Sequence, residues 1–162
     1  MESLKEIHRV LKPHGAFGMI WNIEDYNAPK SHKAASSWEQ KMHDFVWSLD
    51  DDQPRYRHEK WRKIFDEQLE SGPLSIMTSS TPLFALPLGF HEERWEVWLP
   101  EDKIWERLNT LSQISVLKGK DKEDAIRIFK DAIKADDVKS NEKGEFAIHG
   151  ATYSSWTTKI PE

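Results

Sequence analysis

The sequence predicts an α/β fold: an apolar strand near the N-terminus, about five helices and two later strands. Three observations carry that expectation. Ala16 to Trp21 is a nearly continuous apolar run of strand length, the pattern of a strand buried on both faces within a parallel sheet. Apolar residues recur at i, i+3, i+4 and i+7 in stretches on either side of it, the mark of amphipathic helices. Between Phe90 and Trp98 the polarity alternates instead, as in a half-exposed strand.

Taken in order, Ser3 can cap a short helix whose Leu4, Ile7 and Leu11 share a face, and Pro13 and Gly15 end it. After the first strand, Asn22 to Ser37 reads as a long polar loop containing Pro29, and loops of that length often carry function. Trp38, Met42, Phe45 and Val46 then place a helix over roughly 36–48, stopped by Asp50-Asp51-Asp52 and Pro54. A second, over about 58–70, carries Trp61, Ile64, Phe65 and Leu69 and stops at Ser71-Gly72-Pro73. Pro82 and Pro87 keep most of 74–89 extended or looped.

In the strand over 90–98, Trp95 and Val97 face one way and Arg94 and Glu96 the other, which suits antiparallel pairing. Pro100, Glu101 and Asp102 open a helix through about Leu117, with Ile104, Leu108, Leu111 and Ser115 inward. Gly119 breaks it, and Asp121 caps another whose buried stripe is Ala125, Phe129, Ala132 and Ile133. A polar loop over 139–144 leads to a last strand near 145–159. Neither an internal repeat nor a dividing linker is visible, so 1–162 reads as one partial domain with a helical insertion over about 36–70.

Composition narrows the function. The 162 residues suffice for one domain that buries about two-thirds of its unfolded surface. With 28 acidic against 23 basic side chains, the net charge of −5 disfavours nucleic acid, whose phosphates call for Lys and Arg. The basic run Lys118 to Lys122 is broken by Gly119 and Asp121 and reads as a solvated helix junction. No apolar run approaches the roughly 20 residues of a membrane span, and the N-terminus lacks the pattern of a signal peptide. The absence of cysteine excludes disulfides, thiol catalysis and cysteine-ligated metals, and makes the cytoplasm the expected compartment. The seven histidines form no i, i+4 pair and no H-E-x-x-H motif, so no metal is expected. Eight tryptophans argue for an ordered chain, and most fall on stripes that helices and strands would bury.

Residues 4–22 carry a more specific signal. Glu6, Arg9, Val10, Leu11, Lys12, Pro13 and Gly15 match an E-x-x-R-V-L-K-P-G-G segment that turns into a strand, His14 replacing the first glycine. In this the chain resembles the fifth strand and its preceding helix in class I S-adenosylmethionine-dependent methyltransferases of the small-molecule type. Arg55-Tyr56-Arg57 with Trp61, Arg62 and Phe65 is similar to the insertion after that strand, and Leu111 to Ser115 to a helix before the last strand. The resemblance implies a truncated Rossmann-like sheet. Its strands near 90–98 and 145–159 would be the sixth and seventh, the seventh antiparallel between the fifth and sixth. It covers the whole chain but only the C-terminal half of the family domain. The family's cofactor site is built by the strands that come earlier, so no residue here is expected to bind S-adenosylmethionine. Gly15 and Gly18 are no substitute, because they lead into a strand, whereas a cofactor turn follows one and opens a helix.

The candidate site is the stretch after the first strand, since ligands gather beyond the carboxyl ends of strands in open α/β sheets. Asn22 can donate and accept hydrogen bonds, and Asp25 can take a proton. Trp21 and Tyr26 can stack on a planar ligand, with Glu24 beside them. His91, in His91-Glu92-Glu93, could add acid–base chemistry, although such a cluster also suits a solvated strand face.

Three functional readings follow. The chain is the substrate-binding half of a methyltransferase-like protein, acting as a pseudoenzyme or subunit; or a repurposed, cofactor-independent enzyme using Asn22, Asp25 and His91 for acid–base or cyclisation chemistry; or a fragment of an ordinary methyltransferase. Under the first, an uncovered strand edge over 16–22 would seat a second copy or a full-length methyltransferase.

Overall fold

A computed structural model describes residues 2–51, 53–70 and 82–161, the side chains of 67–70 excepted. Helix α1 (Glu2–Val10) leads to strand β1 (Ala16–Glu24) and a 3-10 turn, Asp25–Asn27. Helix α2 (Ser37–Ser48), a second 3-10 turn (Tyr56–His58) and α3 (Lys60–Glu70) come next. Strand β2 (Gly89–Leu99), helices α4 (Glu101–Leu108), α5 (Ser112–Ser115) and α6 (Gly119–Ile133), and strand β3 (Phe146–Thr158) complete the order. The expected α/β class and the antiparallel last strand both hold. The sheet order is β1-β3-β2, with β3 antiparallel in the centre. The expected helix stop at Ser71-Gly72-Pro73 and the residues up to 81 lie outside the described residues.

Two compact units divide the chain, and every strand contributes a stretch to each. The first comprises residues 1–21, 54–93 and 152–162. Its α1 starts at Glu2, so Ser3 lies inside the helix rather than capping it. His8 is the buried member of that helix, and its Nε2–H donates to the Ile160 carbonyl at 2.9 Å. Residues 83–85 pair with 158–160 through Ala85 N–H to Thr158 O at 2.9 Å and Ile160 N–H to Leu83 O at 3.0 Å.

β1 departs from the expectation of burial on both faces. Phe17, Met19 and Trp21 are half-buried, whereas Ile20 on the opposite face is 72% exposed. Phe17 packs on Phe84, with ring centroids 5.4 Å apart. Trp21 meets Trp61 of α3 at 4.6 Å and Tyr56 at 5.1 Å, and Tyr56 stacks on Tyr153 of β3 at 5.0 Å. A run that is apolar at every position thus spends only alternate residues on this unit's packing.

The second unit comprises residues 22–53 and 94–151. Its core is built from Trp38, Met42 and Val46 of α2, Ile104 and Leu108 of α4, Phe129 and Ile133 of α6, and Ile148 of β3. The single helix expected from Pro100 to Leu117 is two. Lys122 supplies the reason: its ammonium donates to the Ile114 carbonyl at 2.9 Å and to the Asn109 side chain, and lies 5.3 Å from the Trp105 ring centre. These contacts reward a chain break at 109–111, and the shift in phase buries Gln113 and Ile114 while Ser115 is exposed. α6 begins at Gly119, two residues before the expected cap Asp121, with a left-handed φ of 54° that glycine adopts at little cost.

Two glycines are explained by tryptophans. A Cβ on Gly89 would enter the Trp156 indole, and one on Gly150 would enter Trp95 and approach the Ile23 carbonyl to 2.6 Å. Each glycine leaves a trough on the sheet that an indole fills.

Candidate functional site

The sequence-predicted stretch divides after Trp21. From Asn22 onward it belongs to the second unit, where the strand runs on to Glu24 instead of giving way to a loop. Ile23 turns inward at 7% exposure, so Asn22 and Glu24 take the other face by the two-residue alternation of a strand. Glu24 accepts a hydrogen bond from Arg107 Nε of α4 at 2.7 Å. Burial works against the Arg107 charge, but the bond to Glu24 and its negative charge outweigh it and hold the guanidinium above its usual pKa. Tyr26 is fully buried beside Trp38, and burial first, then the Glu24 charge, push its hydroxyl pKa well above the ordinary value.

Asp25 is the most constrained of the group. At 1% exposure its carboxylate accepts from the Ala35 backbone N–H at 2.8 Å and from Arg94 Nη2 at 3.2 Å. His32 Nε2 lies 3.1 Å from its Oδ1. A buried carboxylate persists only with such partners. Asp25 therefore ties the following segment back onto the end of β1.

That segment is held from the helix side as well. Gln40, His43 and Trp47 lie on one face of α2 and meet it in turn. Gln40 Oε1 accepts from Ala34 N–H at 3.0 Å, His43 Nε2–H donates to Pro29 O at 3.2 Å, and Trp47 Nε1–H donates to Ala28 O at 3.1 Å. The loop and the start of α2 enclose an open groove of about 580 Å³, lined by residues 30–37 and Gln40. Lys30, His32 and Lys33 line it together with three serines, and no carboxylate does. Both lysines are exposed, and the carboxylates of Asp25 and Glu39 lie behind the groove against His32, Ala35 and Ser36.

Trp21 and His91 belong to the first unit. Trp21 is committed to the aromatic cluster with Tyr56 and Trp61. His91 is 62% exposed, with Nε2 3.6 Å from Glu93, as on a solvated strand face. Among the described residues no group of three His, Cys, Asp or Glu side chains is placed to hold a metal ion.

Sequence reasoning missed a second buried carboxylate. Glu39 of α2 is 0% exposed and accepts from the Ser36 hydroxyl at 2.6 Å and from the His149 backbone N–H at 2.7 Å, with His149 Nδ1 2.8 Å away. His149 Nε2 lies 3.0 Å from Glu96 of β2. Burial raises the Glu39 pKa against its hydrogen bonds, while the two carboxylates raise that of His149 against its partial burial. The available signal was Ser36-x-x-Glu39, a capping-box spacing. It marks the helix start, but not the long-range partner 110 residues away.

In comparison with known proteins, the chain is similar to two methyltransferase-like proteins. It is 26% identical over 166 aligned residues to an uncharacterized methyltransferase of Schizosaccharomyces pombe, an alignment that takes in 99% of this chain and 54% of that protein. It is 34% identical over 64 residues to an uncharacterized methyltransferase-like protein of the same yeast, covering 40% of this chain and 22% of that protein. The chain thus spans about half the length of the first of these relatives, and a smaller part of the second. No family model matches it.

Proposed function

We propose that this chain is the acceptor-binding half of an S-adenosylmethionine-dependent methyltransferase-like protein acting on a small molecule. It does not hold the cofactor by itself, and it works as a pseudoenzyme or subunit beside a partner that does. The observation that carries this reading is the sheet order β1-β3-β2 with an antiparallel central β3. It agrees with the fifth, seventh and sixth strands of the resembled family, and an uncharacterized methyltransferase is similar along 99% of the chain.

The residues present do not fit the cofactor. A cofactor turn needs glycines after a strand and before a helix, so that backbone can approach the ligand. The two strand-to-helix junctions among the described residues read Asp25-Tyr26 after β1 and Pro100-Glu101 after β2, without glycine. Gly119 opens a helix, but one that follows a helix. No step of methyl transfer is therefore assigned to this chain. The groove over 30–40 is the place for an acceptor, with Lys30 and Lys33 as counter-charges for a carboxylate or similar group. Cofactor-free acid–base chemistry draws less support, because both oxygens of Asp25 already face protein donors.

β1 is an outer strand of the sheet, and its Ile20 is exposed. An edge of this kind is a template for pairing. A second copy of the chain, or a full-length methyltransferase that supplies the cofactor site, would pair there through residues 16–22.

Titration calorimetry with S-adenosylmethionine tests the functional reading. No saturable heat is expected for this chain alone at ligand concentrations up to the millimolar range. Saturable binding in the micromolar range would overturn the claim that the cofactor site lies elsewhere.

A further inference from the structure

Glu39, His149 and Glu96 form a chain of three titratable groups, all within the second unit, that the proposed function does not use. Both ring nitrogens of His149 face carboxylate oxygens, Nδ1 at 2.8 Å from Glu39 and Nε2 at 3.0 Å from Glu96. A neutral imidazole has one N–H and one lone pair, so it can satisfy only one of the two. An imidazolium donates to both.

The two carboxylates differ in what they can do without the histidine. Glu39 is fully buried, and its other donors are the Ser36 hydroxyl and the His149 backbone N–H. Tyr26, in the turn after β1, is the further titratable group that its charge opposes. Glu96 has a side chain 48% exposed and also accepts from Trp98 Nε1–H at 2.7 Å, so water can replace the imidazole there.

We propose that His149 is a proton-operated latch whose Glu96 arm alone opens. Protonated, it joins α2 to β3 through Glu39 and β3 to β2 through Glu96. On deprotonation the Nε2 proton leaves to water, the Nδ1–H bond to buried Glu39 persists, and Glu96 is released. The neutral ring is then the Nδ1–H tautomer. The device turns a rise in pH into a freed carboxylate beside the half-exposed Trp98 indole, while α2 stays fixed on β3.

The test is a nitrogen–proton NMR titration of the chain labelled with 15N-histidine, with His149 assigned from the His149→Gln variant. An imidazolium is expected to persist above the ordinary histidine midpoint of about 6.5, followed by a neutral form protonated at Nδ1. Glu96→Gln should lower the midpoint and leave the tautomer unchanged. A midpoint at or below 6.5, a neutral form protonated at Nε2, or an unmoved midpoint in Glu96→Gln would each overturn the latch. Should His149→Gln fail to fold, through-bond correlation of the ring with the His149 backbone in the uniformly labelled chain makes the assignment instead.

Discussion

Both units pack helices on their strand segments, and the second adds ion pairs between elements to its hydrophobic core. In the first, Trp21, Tyr56, Trp61 and Tyr153 pack ring to ring at 4.6–6.0 Å. In the second, Glu39, Asp25 and Glu24 reach His149, Arg94 and Arg107 from other elements. Aromatic packing is indifferent to pH and tolerant in direction. Buried ion pairs are directional, responsive to protonation, and costly to break on one side. The loop and groove proposed to bind a ligand lie in the unit that adds ion pairs to its hydrophobic core.

The largest expected effect comes from removing a buried anchor. Glu39→Ala leaves the His149 backbone N–H without its acceptor and the ring with Glu96 alone, and should cost about 3–5 kcal/mol in urea unfolding. On the aromatic side, Trp61→Ala should cost about 2–3 kcal/mol, below the full-core value because the indole is only half buried, and equally at pH 6 and pH 8. An Ala variant of Glu39 that unfolds no more easily than Trp61→Ala would contradict the division.

The glycine pair sharpens the comparison. Gly150→Ala presses a methyl into Trp95 and the Ile23 carbonyl, backbone that cannot move aside, and should cost about 1–3 kcal/mol. Gly89→Ala first meets the end of the Trp156 indole, a residue 48% exposed, so a loss below about 1 kcal/mol is expected. Equal losses would mean that Trp156 is held as firmly as Trp95.

A subtler effect is the pH profile. The folded chain binds a proton at His149 more tightly than the unfolded chain, since its pKa is raised. That contribution is fully present below about pH 6.5 and is lost as pH rises through the folded value. The raised pKa of Glu39 acts in the same direction. Denaturant midpoints should therefore fall between mildly acidic and alkaline pH, His149→Gln should flatten the fall, and Trp61→Ala should leave it unchanged.

Much of the fold was legible because local patterns decide it. The stripes of α2 and α6 and the alternation of β2 appear where periodicity puts them. What was not legible depended on distant partners. Ala16 to Trp21 reads as doubly buried, yet the exposure of Ile20 is set by what packs on the sheet rather than by the run itself. The break between α4 and α5 is held by Lys122 from α6. The candidate stretch follows from strand-end logic, but the contacts its residues make do not. Asp25 reads as a base, and its contacts with the Ala35 N–H and with Arg94, 69 residues away, have no local signal. His149 carried no local motif, and its role exists only through Glu39 and Glu96.

The central claim is that β1 presents an edge meant to be covered. Sedimentation combined with amide hydrogen exchange along residues 16–21 tests it most directly. The account predicts a two-fold dimer in which the β1 amides not bonded to β3 are protected, with protection fading on dilution. A monodisperse monomer whose residues 16–21 exchange fast at every concentration would contradict it.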